Sequence, residues 1–287
     1  MKKITSFCWI HMALGAVLVL VAVARQLHAG PAERVVSVGG SVTEIVYALG
    51  QEHRLVARDT TSNHPPQALD LPDVGYVRRL SPEGLLSVAP DLILTEDGAG
   101  PPEALELLRS SAIPVVTIPM GFTRDAVVAK IEAVADALGV PGKGAELAAR
   151  VGAEIDAAAR RGTAGKRVLF IMTMQGGRVL AGGADTAAEG IIALAGAVNA
   201  AEGFDGYKLM TDEAVLAAAP DVILVMRNRG DMALSDDDLL AHPALAATPA
   251  GQSRAILRME GMYLLGFSVR TGQAVADLAA GLDRPKG

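Results

Sequence analysis

The chain has 287 residues, with 32 acidic and 26 basic side chains and a formal net charge of −6 at pH 7. This acidic balance argues against nucleic-acid binding, which requires a basic surface. Because the chain has a single cysteine, Cys8, it cannot form an internal disulfide or a site built from several thiolates.

The N-terminus has the pattern of a secretory signal peptide. Lysines follow Met1, an apolar run extends over Ile10–Val23, and small residues precede a cleavage point after Ala29. The apolar run is shorter than the ~20 residues that a membrane-spanning helix needs, and Cys8 precedes it, which is the wrong place for a lipid anchor. We therefore expect residues 1–29 to be removed on export, which leaves a mature chain without cysteine.

The next part of the chain alternates short apolar strands with helices, a pattern typical of a doubly wound parallel sheet. We expect this first α/β lobe to occupy residues 30–140. Its predicted strands are 34–38, 55–58, 92–95 and 115–118, and its predicted helices are 42–49, 102–111 and 123–138.

A long helical segment without any strand signal follows this lobe. Leu147, Val151 and Ile155 recur at helical spacing, and a helix over 144–161 would be about 27 Å long. We expect residues 141–163 to join two lobes and residues 164–287 to form the second α/β lobe. The second lobe has predicted strands at 168–172, 222–225 and 262–265, and predicted helices at 187–195, 236–241 and 271–282.

One segment of the sequence occurs twice, at 75–94 and at 206–224. Each copy reads as a Gly-Tyr loop, a short capped helix and a buried strand after Pro-Asp. The copies are too far apart for a solenoid, whose repeats are 20–50 residues long, and they fit two similar lobes. The repeat therefore places Tyr76 and Tyr207 at related positions, with a ligand expected between the lobes.

The first copy of the repeat resembles the signature of periplasmic haem-binding proteins that feed bacterial haem ABC importers. It reads Val74-Gly75-Tyr76-Val77-Arg78-Arg79-Leu80-Ser81-Pro82-Glu83, and similar segments lie at 58–62, 248–251, 264–267 and 270–271. The resemblance covers essentially the whole mature chain. It implies a class III periplasmic binding protein, with two lobes joined by one long helix and haem carried in the cleft as the transported ligand.

The resemblance also implies that Tyr76 is the axial ligand of ferric haem iron. Tyrosinate is an established haem ligand, and a bound cation drives deprotonation of its own ligands. Arg78 is two residues further on, which puts it on the same face of an extended segment, within reach of the phenolate oxygen. The alternative is a packed tyrosine beside a solvated arginine.

Other side chains are candidates for contact with the ligand. Tyr207 and Lys208 hold the corresponding place in the second lobe, with Lys208 near a propionate, although Tyr207 equally fits a packing role on the rim of the cleft. Arg227 and Arg229 follow a predicted strand at its carboxyl end, where ligands bind in open α/β sheets, and arginine suits the haem carboxylates. Arg58 also follows a strand and is a further candidate.

Met174 stands where some of these proteins have a histidine as another axial ligand. A thioether is a soft donor that suits ferric iron poorly, so we expect Met174 to make an apolar contact and Tyr76 to be the strong ligand. The histidines after the signal peptide, His53, His64 and His242, are scattered without metal-site spacing. We interpret His64 as solvated.

Glu83 and Glu213 are the matched acids of the repeat, each in the first turn of a predicted helix. A favourable interaction with the helix dipole explains an acid at this position. The resemblance adds a second role, in which one acid from each lobe docks onto arginines of the membrane permease. An outer-membrane haem receptor system upstream is a further expected partner.

Two rival functions remain open from the sequence. The same fold can carry a ferric siderophore or a cobalamin, and Tyr76 with Arg78 argues against these ligands. A secreted α/β enzyme is the other rival. The chain has no G-x-S-x-G nucleophile elbow, and we find no convincing set of carboxylate, histidine and serine.

Overall fold

The computed structural model describes residues 31–163, 165–227 and 234–283; the predicted signal peptide and Arg229 lie outside these residues. The first lobe contains a parallel sheet of four strands in the order β2-β1-β3-β4. Both faces of its inner strands are buried, which explains their nearly continuous apolar sequences. The strands are β1 Val35–Val38, β2 Leu55–Arg58, β3 Leu92–Glu96 and β4 Val115–Ile118.

Helices cover this sheet, and most of them begin where the sequence supplies a cap or a proline. Thr123, for example, accepts a hydrogen bond from the backbone N–H of Ala126 at 3.1 Å at the start of the longest of them. The helices of the first lobe are α1 Gly40–Ala48, α2 Pro82–Ser87, α3 Pro102–Arg109 and α4 Arg124–Ala137, with short 3₁₀ turns at Glu52–Arg54 and Pro66–Asp70.

Helix α5, Pro141–Ala159, follows directly and has 19 residues, or about 28 Å at 1.5 Å per residue. Its buried side chains include Leu147, Val151 and Ile155, which recur at the predicted helical spacing. The helix packs against α4 of the first lobe on one side and against the last helix of the chain on the other. One hydrophobic cluster runs from the first sheet through α5 into the second lobe.

The second lobe contains a mixed sheet in the order β10-β9-β5-β6-β8, with β7 also paired to β5. Strands β10, β9, β5 and β7 are parallel to one another, whereas β6 is antiparallel to both β5 and β8. The sequence prediction missed β6, β7, β8 and β10. The strands are β5 Arg167–Gln175, β6 Arg178–Gly182, β7 Val198–Asn199, β8 Tyr207–Leu209, β9 Val222–Met226 and β10 Ile256–Met259.

The predicted strand at 262–265 is wrong, because these residues form a helix. Glu260 caps this helix by accepting hydrogen bonds from the backbone N–H groups of Met262 and Tyr263 at 3.1 and 2.7 Å. The helices of the second lobe are α6 Ala187–Leu194, α7 Asp212–Ala218, α8 Asp236–Leu240, α9 Pro243–Ala246, α10 Pro249–Gln252, α11 Gly261–Leu265 and α12 Thr271–Leu282. Within the described ranges, no helix is long and apolar enough to span a membrane.

The helix and the following strand of the two repeat copies fold alike and are held by matching hydrogen bonds. The Asp91 carboxylate accepts from the backbone N–H of Arg34 at 3.0 Å, and the Arg34 side chain donates to carbonyls at the end of α2. In the second lobe, the Asp221 carboxylate accepts from the backbone N–H of Arg167 at 3.0 Å, and the Arg167 side chain donates to a carbonyl at the end of α7. These positions therefore have equivalent structural roles in both lobes, whereas the Gly-Tyr segments differ, with a turn after Tyr76 and a strand, β8, that begins at Tyr207.

Candidate functional site

Tyr76 is displayed on a loop of the first lobe that its neighbours hold firmly. Gly75, with φ +102°, adopts a backbone conformation that other residues rarely take. Its N–H donates to the Asp73 carboxylate at 2.8 Å, and its carbonyl accepts from the N–H of Thr60 at 2.9 Å. The Tyr76 side chain itself is 40% exposed. An aromatic ring left open on a fixed backbone is available to a ligand.

The segment after Tyr76 is a turn, so the expectation of an extended segment is wrong. The N–H of Arg79 donates to the carbonyl of Tyr76 at 2.7 Å, which closes the turn. The position of the Arg78 side chain is therefore set by this turn and not by the alternation of side chains along a strand. A side chain at Gly98 would lie about 4.0 Å from the Arg78 guanidinium, so the arginine extends over the loop that follows β3.

Arg58 supports the Tyr76 loop from behind. Its guanidinium donates to the Asp73 carboxylate at 2.8 Å and to the carbonyl of Asp59 at 3.1 Å, and the residue is buried. The same Asp73 carboxylate receives the N–H of Gly75. Both bonds come from one terminal nitrogen, and the buried Nε has no hydrogen-bond partner among the described residues. Arg58 therefore positions the loop, and its contact with a ligand stays a prediction.

Tyr207 lies on β8 of the second lobe, 38% exposed, with its ring edge-to-face on Phe170 at a centroid distance of 6.4 Å. Gly182 on the neighbouring strand makes room for it, because a Cβ there would lie 3.1 Å from the Tyr207 ring. Burial raises the pKa of the Tyr207 phenol, and the nearby backbone of Ala188 opposes that shift only in part. Tyr207 is therefore held in its neutral form.

Arg78 and Tyr207 belong to different lobes, yet they approach each other across the cleft. The Arg78 guanidinium is close enough for its positive charge to lower the pKa of the Tyr207 phenol, although the effect of burial remains larger. The turn that carries Tyr76 and the strand that carries Tyr207 thus face a common space. Both tyrosine rings are partly exposed there.

Lys208 lies on the other face of β8, since successive side chains of a strand alternate. Its ammonium is 6.0 Å from the centre of the Phe204 ring, beside Glu202 and Asp205. The expectation that Lys208 meets a propionate next to Tyr207 is therefore not supported by the geometry.

Met174 is half-buried and packs against the apolar cluster around Leu169 and Ile171. The pairing of β5 with β6 shifts register between Ile171 and Thr173, which changes the face to which the end of the strand points. An apolar packing role, as expected from its soft sulfur, agrees with this position.

A cavity of about 850 Å³ lies between the lobes beside the Tyr76 loop. Arg227, the first residue after β9, lines it, and its backbone N–H donates to the carbonyl of Met259 at 2.6 Å. His64 lines the opposite wall and is half-buried, so it is still open to solvent through the cavity. Tyr76 and Tyr207 are not among the residues that line this cavity.

Sequence reasoning missed the polar residues that complete this cavity. Arg270 and Tyr263 line it from the second lobe, and Arg270 is bonded to Glu44 of the first lobe. Arg270 and Glu44 are 226 positions apart, and no local pattern in the sequence links them. Only their charges and the apolar surroundings of Glu44 in α1 could have suggested a pair.

The other histidines contribute little to the cleft. His53 is exposed in a 3₁₀ turn, and His242 is buried with its imidazole 3.6 Å from the Asp212 carboxylate. Among the side chains that the structure describes, no group of three or more His, Cys, Asp or Glu residues could hold a metal ion.

Glu83 and Glu213 are exposed in the first turns of α2 and α7. Ser81 and Thr211 cap these helices by accepting the backbone N–H three residues later at 3.3 and 3.2 Å. The Glu213 backbone N–H, followed by the Thr211 side chain, lowers the pKa of the Glu213 carboxyl. Glu83 and Glu213 thus occupy the same position of the repeat in their two lobes, at the exposed start of a helix.

Several known binding proteins are similar to this chain in sequence or in fold. The periplasmic haem-binding protein RhuT from Roseiflexus sp. RS-1, in apo form, is 42% identical, with a TM-score of 0.82 over 87% of this chain and 97% of RhuT. The periplasmic haem-binding protein BhuT, in complex with two haems, is 41% identical, with a TM-score of 0.81 over 88% of this chain and 98% of BhuT. A vitamin B12-binding protein from Vibrio campbellii is 25% identical over 74% of this chain and 76% of its own length.

These similarities confirm the predicted class of two α/β lobes. A model of the periplasmic binding protein family matches residues 35–261, which is most of the sequence. The chain therefore belongs to the periplasmic binding protein family.

Proposed function

We propose that this chain is the periplasmic substrate-binding subunit of an ABC importer, and that it captures ferric haem through Tyr76 and delivers it to the permease. The observation that carries the proposal is the exposed Tyr76 ring on its fixed turn, opposite Tyr207, with Arg78 near enough to act on the second phenol.

The two tyrosines have different roles in this proposal. Ferric iron prefers an anionic oxygen, and tyrosinate is a known haem ligand, so Tyr76 on its open turn binds the iron. Tyr207 is kept neutral by burial and packs against the macrocycle instead. Arg78 donates to the Tyr76 phenolate and stabilises its charge.

Two related structures support haem as the ligand. RhuT and BhuT are both named as periplasmic haem-binding proteins, and each aligns with this chain over nearly its whole length at more than 40% identity. The BhuT structure holds two haems, which makes stoichiometry a quantity to measure for this chain as well.

The test is an absorption titration of the mature protein with hemin, run with Tyr76→Phe and Tyr207→Phe. We expect a saturable high-spin, tyrosinate-type spectrum in the wild type and in Tyr207→Phe. Tyr76→Phe removes only the hydroxyl, and it should lose that spectrum and bind at least about 100-fold more weakly, since even residues that support a metal ligand cost 10–100-fold when changed. Unaltered binding by Tyr76→Phe would move the ligand elsewhere.

Cobalamin is the second candidate ligand, because the Vibrio campbellii relative is named a vitamin B12-binding protein. A cobalamin titration of the same wild-type protein separates the two ligands. Saturable binding of cobalamin without saturable binding of hemin would replace haem by a corrinoid, and a ferric siderophore would be tested next.

In this proposal the protein does no covalent chemistry on its ligand. Haem bound by the protein and then extracted should be recovered unaltered, also in the presence of a reductant. The export signal is tested by N-terminal sequencing of the secreted protein, which should start at Gly30 if residues 1–29 are removed. An outer-membrane haem receptor upstream is the expected source of the ligand.

A further inference from the structure

The cavity beside the Tyr76 loop has walls from both lobes and a volume of about 850 Å³, within the size range of small-molecule sites. The first lobe contributes polar groups from the loop after β2, and the second contributes groups from the end of β9 and from α11 and α12. The lining residues are Asn63, His64, Leu69, Arg227, Glu260, Tyr263, Arg270 and Gln273.

Three of the ionisable groups in this cavity are engaged with other parts of the protein. Arg270 is paired with the buried Glu44 carboxylate. The Glu260 carboxylate accepts two backbone N–H groups at the start of α11. The Tyr263 hydroxyl donates to the Asp277 carboxylate at 2.8 Å, and burial, followed by this bond, raises the pKa of the Tyr263 phenol.

Two groups on opposite walls remain to recognise a ligand. Arg227 is exposed, and its guanidinium makes one long hydrogen bond of 3.4 Å, to the carbonyl of Arg258, within the described part of the chain. His64 faces the same cavity from the first lobe. A permanent cation opposite an imidazole is a suitable arrangement for carboxylate oxygens.

The loop that carries His64 is fixed to the Tyr76 loop. Asp59, fully buried, accepts hydrogen bonds from the backbone N–H groups of Gly39 and Thr61, both at 3.0 Å, and from the hydroxyl of Ser62 at 2.6 Å. Thr60, in the same loop, is bonded through its N–H to the carbonyl of Gly75. A ligand anchored at Tyr76 therefore has the His64 wall at a set position beside it.

We propose that His64 is a further residue of the site for the haem carboxylates, where it binds from the first lobe as a proton-dependent donor opposite Arg227, an arginine already expected to meet these carboxylates. The inference rests on the proposed haem function. Histidine side chains change charge between about pH 5 and 8, and a carboxylate favours the charged imidazolium. Haem binding should therefore gain a contribution from His64 as the pH falls through this range.

The other charged groups around His64 do not produce this dependence. The other ionisable side chains that line the cavity are Arg227, Glu260, Tyr263 and Arg270, and Glu44 lies behind Arg270. Arginine, glutamate and tyrosine side chains ordinarily titrate outside the range from about pH 6 to 8. Ligation of iron by Tyr76 releases a proton and has the opposite sign, since it strengthens binding as the pH rises. That effect is shared by every variant that keeps Tyr76, so it cancels when two such variants are compared.

The experiment measures the dissociation constants of hemin and of hemin dimethyl ester at about pH 6 and about pH 8, for the wild type, His64→Gln and His53→Gln. His53→Gln is the matched control, because His53 is exposed outside the cavity. We expect His64→Gln to bind hemin about three- to tenfold more weakly than the wild type at the lower pH and nearly equally at the higher pH, where tenfold corresponds to one pKa unit of coupling. The ester lacks carboxylates, so its affinity should not distinguish the proteins.

Each result has a definite meaning. Equal hemin affinities of His64→Gln and the wild type at both pH values would overturn this role of His64 while leaving the haem function intact. The same loss with the ester would also overturn it, since the contact would then not involve carboxylates. A low-spin hemin spectrum in the wild type that disappears in His64→Gln would make His64 an iron ligand instead. Absence of saturable hemin binding by the wild type would overturn the haem function itself.

Discussion

Arg270 of the second lobe and Glu44 of the first lobe form a two-point ion pair across the interface between the lobes. The Arg270 Nε donates to one Glu44 oxygen at 2.9 Å and its terminal nitrogen donates to the other, while the Ser268 hydroxyl donates to the first. The Glu44 side chain is only 3% exposed. Its charge is therefore compensated by these donors and not by water.

We expect Arg270→Met to destabilise the protein by about 3–5 kcal/mol, because it leaves a buried carboxylate without its partner. Arg254→Met is the matched control, since Arg254 pairs with Asp237 where both side chains are largely exposed, and it should cost about 1 kcal/mol or less. Urea unfolding of the two variants measures both values. Equal losses would show that the pair between the lobes contributes no more than a surface pair.

Two glycines near the start of the linking helix α5 should respond oppositely to the same substitution. A Cβ at Gly142 would meet no atom within 4 Å, so Gly142→Ala should stabilise the helix, by at most about 1 kcal/mol. A Cβ at Gly144 would lie within 2.3 Å of the Ala135 Cβ in α4. Gly144→Ala should therefore cost about 1–3 kcal/mol as the two helices move apart.

Thermal or urea unfolding of the two alanine variants checks the opposite signs. A loss of stability in both would mean that the first turn of α5 is more closely packed than its described surroundings indicate. A gain in both would mean that α4 and α5 separate at little cost.

Tyr207 should make stability depend on pH in the alkaline range. Its pKa in the folded protein is raised, first by burial, whereas an unfolded tyrosine titrates near ~10. The folded state thus holds its proton where the unfolded state has lost it, so stability falls as the pH rises above about 10.

Tyr207→Phe removes this proton, and the free energy of unfolding of the variant should fall less steeply between about pH 9 and 11 than that of the wild type. Tyr47 and Tyr263 also have raised pKa values, and they lower the alkaline stability of the wild type and of the variant alike. The difference between the two proteins in the slope of unfolding free energy against pH therefore isolates Tyr207. Identical slopes would show that the phenol ionises as easily in the fold as in the unfolded chain.

The first lobe could be predicted from the sequence because its inner strands are buried on both faces. Val35–Val38 and Leu92–Glu96 are mostly apolar and lie between segments with turn residues. The repeat was equally informative, since the caps Ser81 and Thr211 form as expected. These features depend on residues that are close in sequence.

The second lobe was harder to predict in part because two of the missed strands, β7 and β8, are very short. Tyr207–Leu209 and Val198–Asn199 have three and two residues, too few for an alternation to be visible. The run at 262–265 is apolar but forms α11, and a run of this length fits a strand or a helix equally well until the Glu260 cap is seen.

The candidate site likewise has one part that the sequence predicts and another part that only the fold brings together. Tyr76 and Arg78 were found through a contiguous motif, and their binding role stays a prediction. The wall formed by His64, Arg227 and Arg270 brings together residues from distant parts of the chain. Its composition follows from the packing of the two lobes, which no local pattern encodes.

Glu83 and Glu213 should be needed for delivery of the ligand but not for its capture. Each is exposed in the first turn of a helix at the same position of the repeat. We propose that each docks onto arginines of the permease, one acid from each lobe, as the resemblance implies. We expect Glu83→Lys and Glu213→Lys each to lower haem uptake by reconstituted importer several-fold, and the double variant to abolish it, because like charges at an interface cost several kcal/mol. Hemin titrations of all three should match the wild type.

Glu103→Lys is the control for this charge reversal, because Glu103 is also exposed in the first turn of a helix, α3, but has no counterpart in the repeat. Glu103→Lys changes the net charge and the interaction with the helix dipole in the same way as Glu83→Lys and Glu213→Lys do. Any effect of charge reversal that does not depend on position should therefore occur in all three variants. Uptake reduced equally by Glu103→Lys would assign the loss to overall charge. Uptake reduced only by the repeat positions, with hemin affinity unchanged, would assign it to contact with the permease through one acid on each lobe.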